Sequence, residues 1–232
     1  MASQFPMLYV LFFVFWIASL AVMAKAFSMP AGMSPLKLYG SQGSRSPLVS
    51  WYLYELELPF QVVSRDNSNP HPFGQIPCLV DSNTKASVFE SGAILIYLAN
   101  HYGTFLDEKE RADMMSWCVW ANASLDPVLF KENDRGQVIG TGAGQENRRL
   151  RGLDTHLGGG KNYLATSDRF TAADVAVAAY LLYIPQFFGP KASFQMYPNI
   201  ASYMKRCAMR EAYRKAYPTE TDSILNIINS YC

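Results

Sequence analysis

Cysteine and histidine are scarce in this chain, and their spacing excludes one class of site. Among 232 residues there are four cysteines and three histidines. No CxxC pair and no HxxxH pair occurs, so the recognisable zinc motifs are absent and we expect no metal. Four scattered cysteines do not form a disulfide framework either. His71 and His101 stand alone in the sequence, and we interpret them as surface or helix-cap residues.

An excess of charge of either sign is also missing. The formal net charge is +1, charged residues make up 17% of the chain, and no run of five like charges occurs. This balance excludes the basic surface expected of a nucleic-acid-binding protein, and it argues against a charged tail. Apolar residues make up 50%, a globular composition, and the length suits one large domain or two small ones.

The first 26 residues form a separate segment. Residues 7–24 are apolar except for Ser19, a length between that of a secretory signal core and a short membrane span. Ala24-Lys25-Ala26 has the small-x-small pattern that signal peptidase accepts, with cleavage before Phe27. We therefore predict a signal peptide over 1–26. No Lys or Arg precedes the apolar run, so a retained membrane anchor stays open.

The residue after the predicted cleavage point leaves two compartments open. An aromatic residue, usually Phe, follows the cut in the bipartite presequences of algae with secondary plastids, and Phe27 resembles it. Ser28 and Ser34 would then belong to a transit segment poor in acidic residues. Both interpretations share entry into the secretory pathway. The expected destination is a plastid of such an alga, or else the endoplasmic reticulum lumen or the exterior.

Patterning after the leader predicts a βαβ-ββα unit over residues 36–103. Ser46 as N-cap and Pro47 at the first helical position predict where the first helix starts. Alternating apolar runs bounded by turn residues predict the strands. The predicted strands are 36–39, 60–63, 74–80 and 87–89, and the predicted helices are 47–57 and 93–101.

From residue 108 to residue 232 the pattern predicts an all-α domain. Phe170-Thr171-Ala172-Ala173-Asp174 has the form of a capping box with a preceding apolar staple, which predicts a helix N-terminus. Apolar residues at helical spacing predict the other helices. The predicted helices are 109–122, 145–157, 174–183, 200–206 and 211–215.

This layout, with its motifs, resembles the glutathione S-transferase superfamily over residues 36–217. KLYGSQGSRSPLVSWYLYELELPF (37–60) looks like the family's first strand, active-site loop and first helix. PFGQIPCLVD (72–81) looks like its loop before a cis-proline, and ESGAILIYLANHYG (90–103) like its Glu-Ser turn and following helix. The resemblance implies an α/β thioredoxin-like domain followed by an all-helical domain.

The resemblance implies glutathione as co-substrate and five residues that bind it. A cis bond before Pro77 would turn the N–H and C=O of Ile76 toward the cysteinyl unit, which they would pair like a strand. Ser91, at a helix N-terminus, would bind the γ-glutamyl carboxylate, while Glu90 pairs with the ammonium. Gln75 is a further donor to the tripeptide, or is simply exposed.

By the same resemblance, a serine before the first helix activates the thiol. A hydrogen bond to a thiolate lowers the pKa of the thiol, which otherwise titrates near 8.5. Ser44 is the first candidate and Ser46 the second, with the N-cap role as its alternative. No cysteine lies in this loop, which disfavours a mixed disulfide with the protein. Arg45 stands where some bacterial members have cysteine, so the subclass stays open.

An apolar acceptor pocket is expected beside the first helix of the second domain. Met114, Trp117, Cys118 and Ala121 lie at i, i+3, i+4 and i+7, on one side of that helix. Such a stripe lines a pocket or belongs to the core, and the spacing does not distinguish them.

The resemblance therefore implies a serine-type glutathione transferase, acting as a homodimer. It would conjugate glutathione to small hydrophobic electrophiles or reduce peroxides with it. Three alternatives stay open. They are a non-catalytic ligand-binding or assembly protein with the same fold, a glutathione-dependent isomerase, and a transferase-like domain of a translation-factor subunit, against which the apolar leader argues.

Overall fold

The first domain of the computed structural model is built around one four-stranded sheet. The structure describes residues 32–189 and 192–231, so the predicted signal segment 1–26 and Cys232 lie outside the described residues. The strands are β1 (Leu36–Tyr39), β2 (Phe60–Val63), β3 (Cys78–Asp81) and β4 (Ala86–Phe89). Their order across the sheet is β2-β1-β3-β4.

Strand pairing gives this sheet its mixed direction. β1 pairs parallel with β2, with Leu38 opposite Val62, and antiparallel with β3, with Leu38 opposite Leu79. β3 and β4 form an antiparallel hairpin. Leu36 and Leu38 have no exposed surface whereas Lys37 between them is exposed, as the two-residue period of a strand requires.

Two helices complete this domain. Helix α1 (Ser46–Glu55) connects β1 to β2, and α2 (Ser91–Tyr102) follows β4 after a single residue. Together with the sheet they give the thioredoxin-like arrangement that was predicted. Ser46 is the first residue of α1, and its side chain does not cap the helix, because Arg45 occupies the N-cap position.

The second domain is helical, with its longest helix at the centre. It begins with α3 (Glu108–Trp120), which continues through a π-helical turn (Ala121–Leu125) into the short α4 (Asp126–Leu129). The later helices are α5 (Arg148–Leu157), α6 (Ala172–Phe188), α7 (Pro198–Ala208), α8 (Glu211–Ala216) and α9 (Thr221–Asn229). Helix α6 is buried from its first residue to Pro185, and α3, α5 and α7 supply much of the surrounding core.

The capping box predicted from FTAAD is present at the start of α6. The Asp174 carboxylate accepts hydrogen bonds from the Thr171 N–H (2.9 Å) and from the Leu164 N–H (2.9 Å). Asp174 has no exposed surface. The box therefore attaches the preceding loop to the helix as well as capping the helix N-terminus.

Several elements of this domain were not predicted, among them the short α4. A hairpin of β5 (Lys131–Glu132) and β6 (Val138–Gly140) interrupts the expected run of helices, and α9 follows the last predicted helix. The hairpin strands are mostly exposed, so they carry little apolar alternation for a sequence pattern to detect. In the part of the chain that the structure describes, no helix is both long and apolar enough to span a membrane.

Candidate active site

A cleft of about 350 Å³ lies at one end of the sheet. It brings together the five residues predicted to bind glutathione, and adds three others. The lining residues are Arg45, Arg65, His71, Gln75, Ile76, Pro77, Glu90 and Ser91. They come from the loop before α1, the long loop between β2 and β3, and the turn between β4 and α2. A volume of this size accommodates a small-molecule ligand.

The loop before β3 supplies the middle of the cleft. The Ile76–Pro77 peptide bond is cis, as predicted. The Asn69 side-chain amide donates to the Gln75 carbonyl at 2.8 Å and holds this loop in place. Ile76 is half-buried, and within the described residues neither its N–H nor its C=O has a hydrogen-bond partner. A donor and an acceptor on one residue can pair with an extended peptide.

The turn between β4 and α2 supplies a carboxylate and a helix N-terminus to the cleft. Glu90 has φ 66° and ψ 123°, a left-handed conformation that costs a residue with a side chain about 1–3 kcal/mol and is typical of functional sites. Ser91 follows as the first residue of α2 and is only 3% exposed. The first turn of α2 contains no acidic residue. Its N-terminus can therefore bind a carboxylate, while the exposed Glu90 can pair with an ammonium.

His71 and Arg65 join this cleft without a signal in the sequence. The interpretation of His71 as a surface residue was wrong. It is 6% exposed, its Nδ1 accepts from the Phe73 N–H at 3.0 Å, and its ring lies 4.7 Å from that of Phe89. Arg65 is exposed, two residues after β2, and offers a cation for a second carboxylate. Only the folded sheet brings these separate residues together.

The serine loop before α1 is connected by its own hydroxyl groups. The Ser44 hydroxyl donates to the Ser41 carbonyl at 2.8 Å and accepts from the Ser46 N–H at 3.1 Å. The hydroxyl oxygens of Ser44 and Ser46 are 2.7 Å apart. Because the single hydrogen of Ser44 points to Ser41, the Ser46 hydroxyl is the donor of that pair.

The two candidate serines differ in accessibility. Ser46 is 2% exposed, and its hydroxyl accepts from the Ser41 N–H at 3.3 Å. Its oxygen lies 2.4 Å from where a Cβ on Gly40 would be, so it fills the space under the loop. Ser44 is half-buried and can turn its hydrogen from the Ser41 carbonyl to a ligand. Ser44 is therefore the more accessible of the two candidate donors and Ser46 has a structural position, but neither serine is among the residues that line the cleft.

The cysteines within the described residues offer no nucleophile. Cys78, Cys118 and Cys207 are free, and none has exposed surface. Burial raises the pKa of each thiol above its ordinary value, which disfavours the reactive thiolate. None of these three described cysteines lines the cleft.

The expected acceptor wall needs a correction. Met114, Cys118 and Ala121 have no exposed surface, because this side of α3 packs against α6. They are core residues and do not line a pocket. Trp117 is half-buried, but it lines a separate cavity of about 540 Å³ with Trp120 and the start of α5.

Two family models match the chain. The glutathione S-transferase N-terminal domain matches residues 34–100, and the C-terminal domain matches residues 121–211. A glutathione S-transferase domain-containing protein of Dictyostelium discoideum is 31% identical over 160 residues, which are 62% of this chain and 61% of that relative. The disulfide-bond oxidoreductase YfcG of Escherichia coli is 31% identical over 111 residues, 40% of this chain and 52% of that protein.

Solved structures agree with the family models. Glutathione S-transferase III superposes with a TM-score of 0.59 at 27% identity, covering 80% of this chain and 97% of that one. The glutathione transferase URE2P6 of Phanerochaete chrysosporium, crystallised with oxidized glutathione, shares the fold with a TM-score of 0.65 at 22% identity, covering 83% and 98%. On the family models and the fold together, this chain belongs to the glutathione S-transferase superfamily.

Proposed function

We propose that the protein is a glutathione-dependent transferase that activates the glutathione thiol for attack on small electrophiles or peroxides. One observation carries the proposal. The cleft gathers a free backbone donor and acceptor, a helix N-terminus, a carboxylate and two arginines within about 350 Å³. Glutathione requires this set, since it has two carboxylates, an ammonium, two peptide groups and a thiol.

In this proposal each end of the tripeptide has its own partner. Ser91 and the N-terminus of α2 bind the γ-glutamyl carboxylate, and Glu90 pairs with the ammonium. Ile76 pairs with the cysteinyl backbone, and Arg65 faces the glycyl carboxylate. Hydrogen bonds to charged groups stabilise a complex by about 1.5–3 kcal/mol each, so these contacts suffice to fix the position of the sulfur.

The Ser44 hydroxyl then donates a hydrogen bond to the thiolate and lowers the pKa of the bound thiol. In conjugation the sulfur lone pair forms a bond to an electrophilic carbon, and the leaving group departs with the bonding pair. In peroxide reduction the thiolate sulfur attacks the terminal oxygen and the O–O bond breaks, which leaves a glutathione sulfenic acid and an alkoxide that takes a proton from solvent to become the alcohol. A second glutathione converts this sulfenic acid to glutathione disulfide and water.

The test combines calorimetry with two assays on the chain from residue 27. Calorimetry measures glutathione binding, and the assays use an activated aryl halide and an organic hydroperoxide. We expect Ser44→Ala to lower kcat about 10–100-fold, the loss of one hydrogen bond to a charged group, with binding nearly unchanged. Ser87→Ala, an exposed serine on β4, is the matched control and should be silent.

The alternatives predict different results. A non-catalytic binding protein would bind glutathione and show neither activity. An isomerase would bind glutathione and turn over a double-bond isomer without consuming the tripeptide. If Ser44→Ala leaves kcat intact, the serine assignment is wrong although the binding site stands.

We also propose a homodimer and entry into the secretory pathway, followed by secretion, retention in the lumen or delivery to a secondary plastid. Light scattering on the purified protein should give twice the monomer mass. A fluorescent fusion of residues 1–40 should enter the secretory pathway, and a cytosolic signal would contradict that proposal.

A further inference from the structure

Arg45 lies between the two candidate serines in the sequence. It is the N-cap residue of α1, it follows Ser44 directly, and it lines the cleft with Ile76 and Ser91. About half of its side chain is exposed (44%). Arg45 therefore brings a permanent positive charge to the cleft that the proposed function assigns to glutathione, one residue along the chain from the proposed hydroxyl donor.

The helical domain holds this guanidinium from two directions. The Asp126 carboxylate, at the start of α4, accepts a hydrogen bond from Arg45. The guanidinium carbon also lies 5.2 Å from the centre of the Tyr180 ring of α6, within the range of a cation–π contact. The Tyr180 hydroxyl donates to the Asn122 side chain at 3.0 Å, inside the π-helical turn. The arginine therefore has a defined position.

Asp126 is a costly partner, which argues against a purely stabilising role. Its side chain is only 18% exposed. Its second carboxylate oxygen is buried without a hydrogen-bond partner in the part of the chain that the structure describes. Burial raises the pKa of Asp126 although Arg45 opposes the shift. A half-satisfied buried carboxylate contributes little net stability, and here it aligns one cation.

The charged and titratable groups around this cation come from several elements. Asp126 of α4 is its ion-pair partner, and the charge of Glu132 in β5 acts on Asp126. Tyr180 and Tyr183 meet it from α6, and burial raises the pKa of both phenols, to about 12 for Tyr183, so both are neutral at physiological pH. Glu90, which the proposed function pairs with the ammonium, and Arg65 line the same cleft.

We propose that Arg45 is a second catalytic residue, whose guanidinium stabilises the glutathione thiolate together with the Ser44 hydroxyl, and that Asp126 is its positioning residue. This inference rests on the proposed function. It assigns to the protein an electrostatic contribution besides the hydroxyl, because a nearby opposite charge favours the ionised form of a thiol.

The test titrates glutathione in its complex and follows the ultraviolet absorbance of the thiolate. We expect Arg45→Gln to raise the pKa of the bound thiol, so that below that pKa the thiolate fraction falls about tenfold. Arg45→Lys keeps the charge and should recover part of the effect. Asp126→Asn should raise the pKa of the thiol less than Arg45→Gln does. Arg149→Gln, an exposed arginine outside the cleft, should leave the titration unchanged.

Kinetics separate this role from a structural one. In Arg45→Gln, kcat at neutral pH should fall about tenfold and recover at alkaline pH, while the glutathione Kd changes less than about threefold. Circular dichroism confirms that each variant is folded. If the Arg45→Gln titration coincides with that of the wild type, the inference is wrong and the proposed function stands. If the wild type binds no glutathione, both are wrong.

Discussion

The Arg210 guanidinium forms two hydrogen bonds of 2.6 Å to the Glu55 carboxylate, which link the end of α1 to the residue before α8. The same carboxylate accepts from the Trp51 indole at 2.9 Å. Arg210 also stacks 3.9 Å from the centre of the Phe170 ring. Glu55 is only 11% exposed at its side chain. This bidentate pair joins the helical domain to α1, the helix that begins at the serine loop.

Breaking this pair should destabilise the protein. Arg210→Met keeps the apolar stem but leaves the Glu55 carboxylate buried without its cation, which should lower the free energy of unfolding by about 3 kcal/mol. Urea denaturation measures it. The control is Lys109→Met, in an exposed pair with Asp113, which should change stability by at most about 0.5 kcal/mol. Equal effects in the two variants would contradict a special role for the interdomain pair.

The contact between Gly40 and Ser46 should be intolerant of one methyl group. A Cβ on Gly40 would lie 2.4 Å from the Ser46 hydroxyl oxygen, so Gly40→Ala should cost about 1–3 kcal/mol by overpacking and displace the serine loop. Adding Ser46→Gly removes the clashing side chain and should restore part of the loss. Gly43→Ala, which meets no atom within 4 Å, should be tolerated. Thermal melts and the conjugation assay check all three, and a silent Gly40→Ala would refute the packing argument.

Ser91 should control affinity for glutathione and leave turnover at saturation unchanged. Ser91→Ala removes the hydroxyl from the N-terminus of α2, and the loss of one hydrogen bond to a carboxylate should raise Kd about 10–100-fold. Calorimetry measures this change. Glutathione ethyl ester or des-amino analogues can then show which end of the tripeptide is affected. A Kd within twofold of the wild type would place the γ-glutamyl carboxylate elsewhere.

The fold could be predicted from the sequence because its signals are local. Ser46-Pro47 predicted the start of α1 to within one residue. The predicted capping box from Thr171 to Asp174 is present. The cis bond before Pro77 followed from the motif around it. The hairpin of β5 and β6 was not predicted because both strands are mostly exposed and neither buries an alternating face.

The site could be predicted only in part, for the complementary reason. Local sequence motifs identified four of the lining residues, which are Gln75, Ile76, Glu90 and Ser91. His71 belongs to a long polar loop, and only the path of that loop in the fold brings it into the cleft. The pairing of Arg45 with Asp126 spans 81 residues, and no periodicity reports such a distance. The spacing of the apolar residues on α3 was visible in the sequence, but it did not reveal what they contact. They pack against α6 and not against a ligand.

Asp174 should make stability depend on pH in an unusual direction. Burial raises the pKa of its carboxyl to about 6, although hydrogen bonds from Thr171, Leu164 and Tyr203 lower it in part. The same carboxyl in the unfolded chain titrates near its ordinary value, about 3.9. Between these two values the folded state holds more protons than the unfolded state, so the contribution of this group to stability falls as pH rises from about 4 to about 6.

Asp174→Asn isolates that contribution because the amide does not titrate. The free energy of unfolding of the wild type minus that of Asp174→Asn should decrease by roughly 2–3 kcal/mol between pH 4 and pH 7. Urea titrations of both proteins across that range measure it, and the subtraction removes the other ionisable groups. The capping role predicts in addition that the variant is less stable at every pH, since an amide offers one acceptor where the carboxylate offers two. A difference that grows with pH would mean that the hydrogen bonds to the carboxylate outweigh its burial.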